Sequence, residues 1–126
     1  MTASGERFDF IKGEGLSLKK CFEIRVVVMN AIGIAEVVGV VASVEALDSM
    51  TKTSNVKFKT MEKKLGGRLV TIVVEGSVED VQAAVEVGTR TADSITKCVA
   101  HAVIPRPHEE IMALLDRSSL KFNKAR

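Results

Sequence analysis

The feature that most constrains the fold is a pair of glycines between two segments typical of β-strands. Residues 56–59 alternate apolar and charged side chains, the pattern of a half-buried strand. Residues 69–74 form a run rich in β-branched side chains. Gly66 and Gly67 separate the two segments, and glycine readily adopts the positive φ of a tight turn. The sequence therefore predicts a β-hairpin in the middle of the chain.

A strand and a helix are predicted before this hairpin. Residues 31–37 are rich in Ile and Val and favour a strand, and residues 40–52 have helical periodicity. Asp48 and Lys52 are four residues apart with the acid first, which favours an ion pair on a helix. The predicted apolar side of the helix consists of Val40, Val44, Leu47 and Met50 or Thr51, opposite Glu45, Asp48 and Lys52.

A second helix and a last strand are predicted after the hairpin. Ser77 is a favourable N-cap residue, and Asp80 lies three residues later, as in a capping box. Residues 98–104 favour a strand that ends at Pro105, since proline cannot donate to a ladder. Residues 109–115 are predicted as a short terminal helix. The second helix is predicted from the helical spacing of Val78, Val81, Val85, Ala92 and Ile95.

The predicted order is β-α-β-β-α-β followed by a short C-terminal helix. This is the ferredoxin-like split βαβ arrangement, an α+β fold with an antiparallel sheet and helices on one face. We expect an N-terminal extension over residues 1–29, a domain over residues 30–115 and a C-terminal tail over residues 116–126. A fold of this kind hosts many functions and selects none of them.

Composition argues against several classes of protein. The 126 residues include no Trp or Tyr and five Phe, so base stacking is not a main binding mode, and a net charge of +2 gives no reason to expect nucleic acid. Asn30, Glu36 and two glycines interrupt the apolar residues 26–44, which favours a strand and a turn over a membrane span. Residues 1–10 lack the apolar segment of a signal peptide. We expect contact with neither a membrane nor nucleic acid.

No group of residues suggests catalysis, a cofactor or a metal site. Glu45 and Asp48 share a polar helix face without a histidine or nucleophile beside them. The GxGxxG and GxxxxGK motifs are absent. Cys21 and Cys98 are far apart without a CxxC motif, which favours free thiols in a reducing cytosol. In a regular strand His101 would face away from Cys98, so the pair does not suggest a metal site.

Three segments carry a family resemblance. They are residues 30–36 (NAIGIAE), residues 64–71 (KLGGRLVT) and residues 103–108 (VIPRPH). In this order, within residues 30–115, they resemble the single-domain shell proteins of bacterial microcompartments, the carboxysome and metabolosome family. The resemblance implies cyclic homohexamers that tile edge to edge into a shell in the cytoplasm, together with other shell proteins and around encapsulated enzymes. It also implies a central pore for small metabolites.

By this resemblance the hairpin loop lines the pore. The family commonly has serine where Gly67 stands and glycine where Arg68 stands, so this chain departs from it at both positions. Arg68 and Lys64 would repeat around the axis, and a ring of cations lowers the barrier for anions. We therefore expect small anionic metabolites to cross the pore. The residues assigned to the pore are Lys64, Leu65, Gly66, Gly67 and Arg68.

The resemblance also assigns residues to the edge between hexamers. The stem of Lys52 would lie along the neighbouring hexamer, and Asn55 would cap the first helix or bond across the seam. Arg106, restrained between two prolines, would reach backbone carbonyls of the adjacent hexamer, which suits a planar group with several donors. His108 would begin the terminal helix or pack at the seam.

The N-terminal extension holds three of the five phenylalanines. We expect a frayed tip over residues 1–7, a segment 22–28 that continues or precedes the first strand, and a segment 8–11 that docks on the body or on a neighbouring subunit. Such an arm would cover part of the pore, or bind cargo or another shell protein. A disordered tail is the alternative.

A second function class fits the same fold. A small regulatory oligomer would use residues 63–68 to bind an anionic effector rather than to line a pore. The oligomeric mass distinguishes the two, because a shell protein is expected as a hexamer and a regulator as a dimer or trimer.

Overall fold

The structure, a computed structural model, describes residues 31–64 and 66–124. The expected arms at residues 8–11 and 22–28 lie outside the described residues, as does Leu65. The elements are β1 (Ala31–Val38), α1 (Val40–Thr53), β2 (Lys57–Glu62), β3 (Leu69–Gly76), α2 (Val78–Ile95), β4 (Cys98–Pro105) and α3 (Glu109–Lys124). The predicted α+β order is confirmed.

The four strands form one antiparallel sheet in the order β2-β3-β1-β4. β1 and β3 lie in the centre, and their apolar side chains are buried on both faces of the sheet. β2 and β4 are the edge strands, and they differ in chemistry. β2 carries Lys57, Lys59 and Glu62, whereas β4 carries no charged residue besides His101, which counts as charged only when protonated.

Helices α1 and α2 cover one face of the sheet. Alternate residues of β1, among them Ala31, Ala35 and Val37, point to this face and pack with Ile72 and Val74 and with residues of both helices. Ser77 caps α2 as predicted, since its Oγ accepts a hydrogen bond from the Asp80 N–H at 3.2 Å.

The packed face of α1 differs from the prediction. Val40 and Val44 are half exposed, although their spacing placed them on the apolar side. The reason is size: the helix lies close to α2 and the sheet, where alanine and serine fit and larger branched side chains do not. The side chains buried in this contact are Ala42, Ser43, Ala46 and Met50.

Two glycines permit this close packing. A Cβ atom built at Gly33 in β1 would lie 2.7 Å from Val85 Cγ2 and 2.9 Å from Val81 Cγ1 of α2. A Cβ atom built at Gly88 of α2 would lie 2.4 Å from the Met50 Cε of α1. The absence of a side chain at Gly33 permits the close approach of α2 to β1, and its absence at Gly88 permits the close approach of α1 to α2.

The terminal helix is longer than predicted and covers the other face of the sheet. It ends at Lys124 instead of Leu115, so the predicted start of a tail at residue 116 falls inside α3. Leu115 packs with Ile32 and Val73, in a cluster separate from the main core. The domain limits themselves stay a prediction.

Polar contacts hold the second half of α3 against β2. Lys59 forms an ion pair with Asp116. Ser118 Oγ donates to Glu62 Oε2 at 2.7 Å and lies 3.0 Å from the Thr60 hydroxyl. The Phe58 and Phe122 rings meet edge to face with centroids 5.5 Å apart. Along residues 31–64 and 66–124, no helix has the length and hydropathy needed to span a membrane.

Candidate pore loop and assembly edge

The loop between β2 and β3 is a tight turn made by consecutive residues with positive φ. Gly66, Gly67 and Arg68 have φ values of 81°, 60° and 62°. The Leu69 N–H donates to the Gly66 carbonyl at 3.1 Å, which closes the turn around Gly67 and Arg68. Positive φ at both central residues is the geometry of a type I′ turn, the form that suits the twist of a hairpin. The predicted glycine hairpin is confirmed, with its centre one residue later than the diglycine.

Arg68 therefore occupies a position that favours glycine. A non-glycine residue in the left-handed region costs about 1–2 kcal/mol. The Gly39 N–H donates to the Arg68 carbonyl at 2.7 Å, and this bond holds the strained turn against the start of α1. The positive φ at an arginine makes Arg68 a candidate functional residue.

The charged side chains of the loop are accessible to solvent and to a ligand. Lys63, Lys64 and Arg68 are exposed, and none of them forms an ion pair with another residue in the described part of the chain. Leu65, assigned to the same loop, lies outside the described residues. The loop thus presents a concentration of positive charge at one end of the sheet.

An open apolar groove of 410 Å³ lies beside this loop. Val40 and Val41 of α1 and Ile95 of α2 contribute apolar side chains to its lining, and Lys63 and Arg68 contribute charged ones. This groove was not predicted, because helical spacing placed Val40 and Val44 on the packed face of α1. A short run of valines at the start of a helix, before the first buried alanine, was the available signal. The lining residues are Gly39, Val40, Val41, Ala42, Lys63, Arg68, Leu69, Val70, Ile95 and Thr96.

Lys52 lies in the last turn of α1 and is exposed. Its Nζ is 2.8 Å from Asp48 Oδ2, which confirms the predicted pairing of these residues. The hydrogen bond to Asp48, followed by the charge of that carboxylate, raises the pKa of Lys52. The lysine therefore stays protonated and available at the surface.

Asn55 does not cap α1. The C-cap is Ser54, whose N–H donates to the Met50 carbonyl at 3.3 Å and whose Oγ donates to the Asp80 carbonyl at 2.9 Å. Asn55 is exposed, and its side chain makes no hydrogen bond to the described residues. Of the two roles predicted for Asn55, only bonding across a seam remains open.

Arg106 and His108 follow β4 directly. Arg106 is exposed and has φ 50°, so the backbone between the two prolines projects it from a restricted conformation. His108 begins α3 as predicted: its Nδ1 accepts from the Glu110 N–H at 3.1 Å and its carbonyl accepts from the Ile111 N–H at 3.0 Å. Both side chains lie at the surface.

The predicted pore residues and edge residues lie at opposite ends of the sheet. Arg68 precedes Leu69, which pairs with Val38 at the last position of β1. Arg106 follows Pro105, which pairs with Ala31 at the first position of β1. Asn55 belongs to this second end, since its carbonyl would be 3.1 Å from a Cβ atom built at Gly76, the partner of Ala31. The fold thus separates the loop from Arg106 by the length of β1.

Cys98 and His101 do not fall on opposite faces, because β4 is irregular. The register shifts between Glu36 and Val37, which leaves Val99 without a direct partner. Cys98 then pairs with Val37 and His101 with Ala35, on the helical side of the sheet. Over residues 31–64 and 66–124 no three His, Cys, Asp or Glu side chains are grouped as a metal site requires, and Cys98 is a free thiol.

Comparison with known proteins bears on these features. A family model described as the BMC domain matches residues 31–107. The chain is 39% identical over 88 residues to the bacterial microcompartment shell protein PduA of Citrobacter freundii, an alignment that covers 70% of this chain and 94% of PduA. It is 41% identical over 83 residues to the bacterial microcompartment shell protein EutM of Escherichia coli (strain K12), covering 66% of this chain and 84% of EutM.

A solved structure supports the fold. The crystal structure of a microcompartment protein from Desulfitobacterium hafniense DCB superposes with a TM-score of 0.62 at 23% identity. The match covers 71% of this chain and 48% of that chain, so this chain spans about half of the solved protein. The family recognised from three sequence segments is confirmed, and the chain belongs to the BMC-domain family of bacterial microcompartment shell proteins.

Proposed function

We propose that this protein is a structural component of a bacterial microcompartment shell in the cytoplasm, and that it acts without catalysis. Its unit is a cyclic homohexamer that tiles with other hexamers and carries a central pore for small metabolites. The observation that carries the proposal is the separation of the charged loop from Arg106 at opposite ends of β1. Such a subunit places one end at the axis of a ring and the other at its rim.

The apolar groove beside the loop supports the ring. Val41 is 73% exposed, and Val40, Val44 and Ile95 are about half exposed. A cluster of exposed aliphatic side chains is typical of an interface between subunits. In a closed ring each subunit offers this patch to a different surface of its neighbour, so the contact is heterologous and closes by rotation.

The loop charges support a pore with a preference for anions. Lys64 and Arg68 are exposed and unpaired among the described residues, so a ring of subunits would surround its axis with cations. Such a ring lowers the barrier for small anions and raises it for cations. We propose that small anionic metabolites pass through this pore.

Arg68→Gly is expected to reduce the anion preference of the pore by several-fold. The same change removes a residue from the left-handed region, so the free energy of unfolding should rise by about 1 kcal/mol. Conductance of hexamers under a salt gradient measures the ion preference, and thermal unfolding measures the stability. Arg117→Ala, which removes an exposed arginine of α3, is the control. An unchanged anion preference in Arg68→Gly would count against the loop as the pore lining.

The residues at the other end support tiling. Lys52, Asn55, Arg106 and His108 are all exposed, and Arg106 presents a planar group with several donors from a restrained backbone. Guanidinium groups of this kind bond backbone carbonyls of a neighbouring molecule well. We infer that these four residues form the contact between hexamers.

Arg106→Ala is expected to leave hexamers intact and to prevent the formation of extended sheets. Lys52→Ala should weaken the sheets less, because its ammonium already has a partner in Asp48 at 2.8 Å. Electron microscopy of the purified variants shows the sheets, and light scattering gives the mass of the unit. Lys121→Ala, a lysine in the last turn of α3, serves as the control. Normal sheets in Arg106→Ala would contradict the assignment of the edge.

The regulatory alternative rests on one observation, the presence of Lys63 and Arg68 in the lining of the groove. A dimer or trimer that binds a small polyanion there would favour it. The apolar lining of the rest of the groove supports subunit contact instead.

A further inference from the structure

The face of the sheet opposite α1 and α2 is only partly covered. Helix α3 crosses it, and Met112 and Leu115 pack on Ile32 and Val73. The second half of α3 then packs against β2 at one edge of the sheet. Strand β4 lies at the opposite edge of the sheet. The part of this face formed by β4 and the adjacent positions of β1 is left uncovered.

The uncovered part is a strip of aliphatic side chains. Directly paired residues of antiparallel strands point to the same face, so Ile104 accompanies Ile32 and Ala102 accompanies Ile34. Ala100, two positions from Ala102, also faces this side. Both alanines are exposed, and Ile34 and Ile104 are half buried.

Helix α3 also exposes apolar side chains. Ile111 and Leu114 are three residues apart on the same side of the helix, and Leu114 is 52% exposed. Polar side chains occupy another side, where Asp116 pairs with Lys59. We call the surface formed by Ile34, Ala100, Ala102 and Ile104 the open strip. Glu36, which pairs with Ala100, lies on the same face at the end of the strip remote from Pro105.

We propose that residues 8–28 of this chain, which lie outside the described part, dock on the open strip of the same subunit. The position of this segment in the chain favours such docking. Ala31, where the described chain begins, pairs with Pro105, the neighbour of Ile104. Residues 8–28 thus join the described chain at the end of the strip, through a connection of only two residues.

The side chains of the segment also fit the open strip chemically. Phe8, Phe10 and Phe22 fall in this segment, and residues 22–26 alternate apolar and charged side chains in the order Phe, Glu, Ile, Arg, Val. An alternating segment presents one apolar side and one polar side when extended. The apolar side matches the aliphatic strip, and the polar side remains in solvent.

Competition between occupants also favours this segment. A segment joined to the described chain by a short connection has an effective concentration in the millimolar range, well above that of a free partner. Residues 8–28, if extended, reach about 3.3 Å per residue, which exceeds the length of the eight-residue strand β4. The tethered segment is therefore favoured over a second copy or another protein.

The test is the rate at which a maleimide modifies single cysteines in the full chain. Cys21→Ser and Cys98→Ser remove the native thiols, and Ala102→Cys or His101→Cys adds one. His101 is the matched control, because it is exposed on the same strand but pairs with Ala35 and faces the helical side. Each cysteine is measured with the native segment and with Phe22→Asp and Ile24→Asp together. Phe8→Asp with Phe10→Asp provides a second pair.

We expect the aspartates to speed modification at position 102 by about tenfold, the factor that corresponds to 1.4 kcal/mol of docking free energy. The rate at position 101 should stay unchanged. An increase there would show that the aspartates unfold the protein, and the measurement would then be made with Phe8→Asp and Phe10→Asp. Equal rates at position 102 with and without the aspartates would overturn the proposal. Protection that weakens on dilution would also overturn it, since the occupant would then be a second copy. The oligomeric mass is recorded for each sample, so the result stands whether or not hexamers form.

Discussion

Val41→Asp is expected to abolish ring assembly and to leave a folded monomer. Val41 is 73% exposed in the isolated subunit and lines the apolar groove beside the loop. In the ring a carboxylate at this position would lose its water without gaining a partner. Burial of an unpaired charge costs several kcal/mol, and the cost recurs at every interface of the ring.

The same substitution should not destabilise the monomer. An exposed residue away from the core usually changes the free energy of unfolding by less than about 0.5 kcal/mol. The first turn of α1 contains no acidic residue, and an aspartate there meets the positive end of the helix dipole favourably. Loss of the ring would therefore report on the interface and not on the fold.

Light scattering after gel filtration measures the mass, and thermal unfolding measures the stability. Val41→Thr, similar in shape and uncharged, should keep the ring. Leu120→Asp places the same charge on another exposed apolar residue, 68% exposed and remote in sequence from the groove. If Val41→Asp remains a hexamer, the groove is not the contact between subunits.

Gly33→Val is expected to lower the free energy of unfolding by at least about 2 kcal/mol, at the upper end of the usual cost of overpacking a core. A Cβ atom there already falls 2.7 Å from Val85 Cγ2, and valine adds two further carbons. Val81 and Val85 are themselves buried and cannot turn into solvent. The change would force α2 away from β1.

The sign of this effect is diagnostic. Glycine weakens a strand interior by roughly 0.5–1 kcal/mol relative to alanine, so valine would stabilise β1 if space were available. Chemical denaturation measures the change. Gly33→Ala combined with Val85→Ala should be more stable than the sum of the single changes, because the second removes the atoms that the first meets. A Gly33→Val protein as stable as the original would contradict the close approach of α2 to β1.

The element order followed directly from the sequence because each element carries a local signal. Ser77 with Asp80 marks the start of α2, the proline after Ile104 marks the end of β4, and Gly66 with Gly67 marks the turn. These signals depend on residues close together in the chain. They do not depend on packing.

The face of α1 was not predictable from periodicity alone. Val40, Val44 and Leu47 have helical spacing, but so do Ala42 and Ala46, and Met50, predicted with the first set, fits either. The choice between the two sets depends on the close approach of α1 to α2, which Gly88 permits from another element. A tertiary contact therefore decided which side became buried, and the exposed valines became a candidate interface.

The extent of α3 was not predictable for a similar reason. Residues 116–119 are polar and give no apolar periodicity to extend the helix. The helical structure of these residues depends on contacts with β2, where Asp116 forms an ion pair with Lys59 and Ser118 donates a hydrogen bond to Glu62. The irregularity at Val99, which placed Cys98 and His101 on the same side, likewise has no local sequence signal.

Electron cryomicroscopy of the purified full chain tests the central claim most directly, because it gives both the number of subunits and their orientation. We expect hexameric rings in which Gly67 and Arg68 surround the axis and Arg106 lies at the outer rim. Single subunits, or rings in which the loop of residues 66–68 faces outward, would contradict that claim.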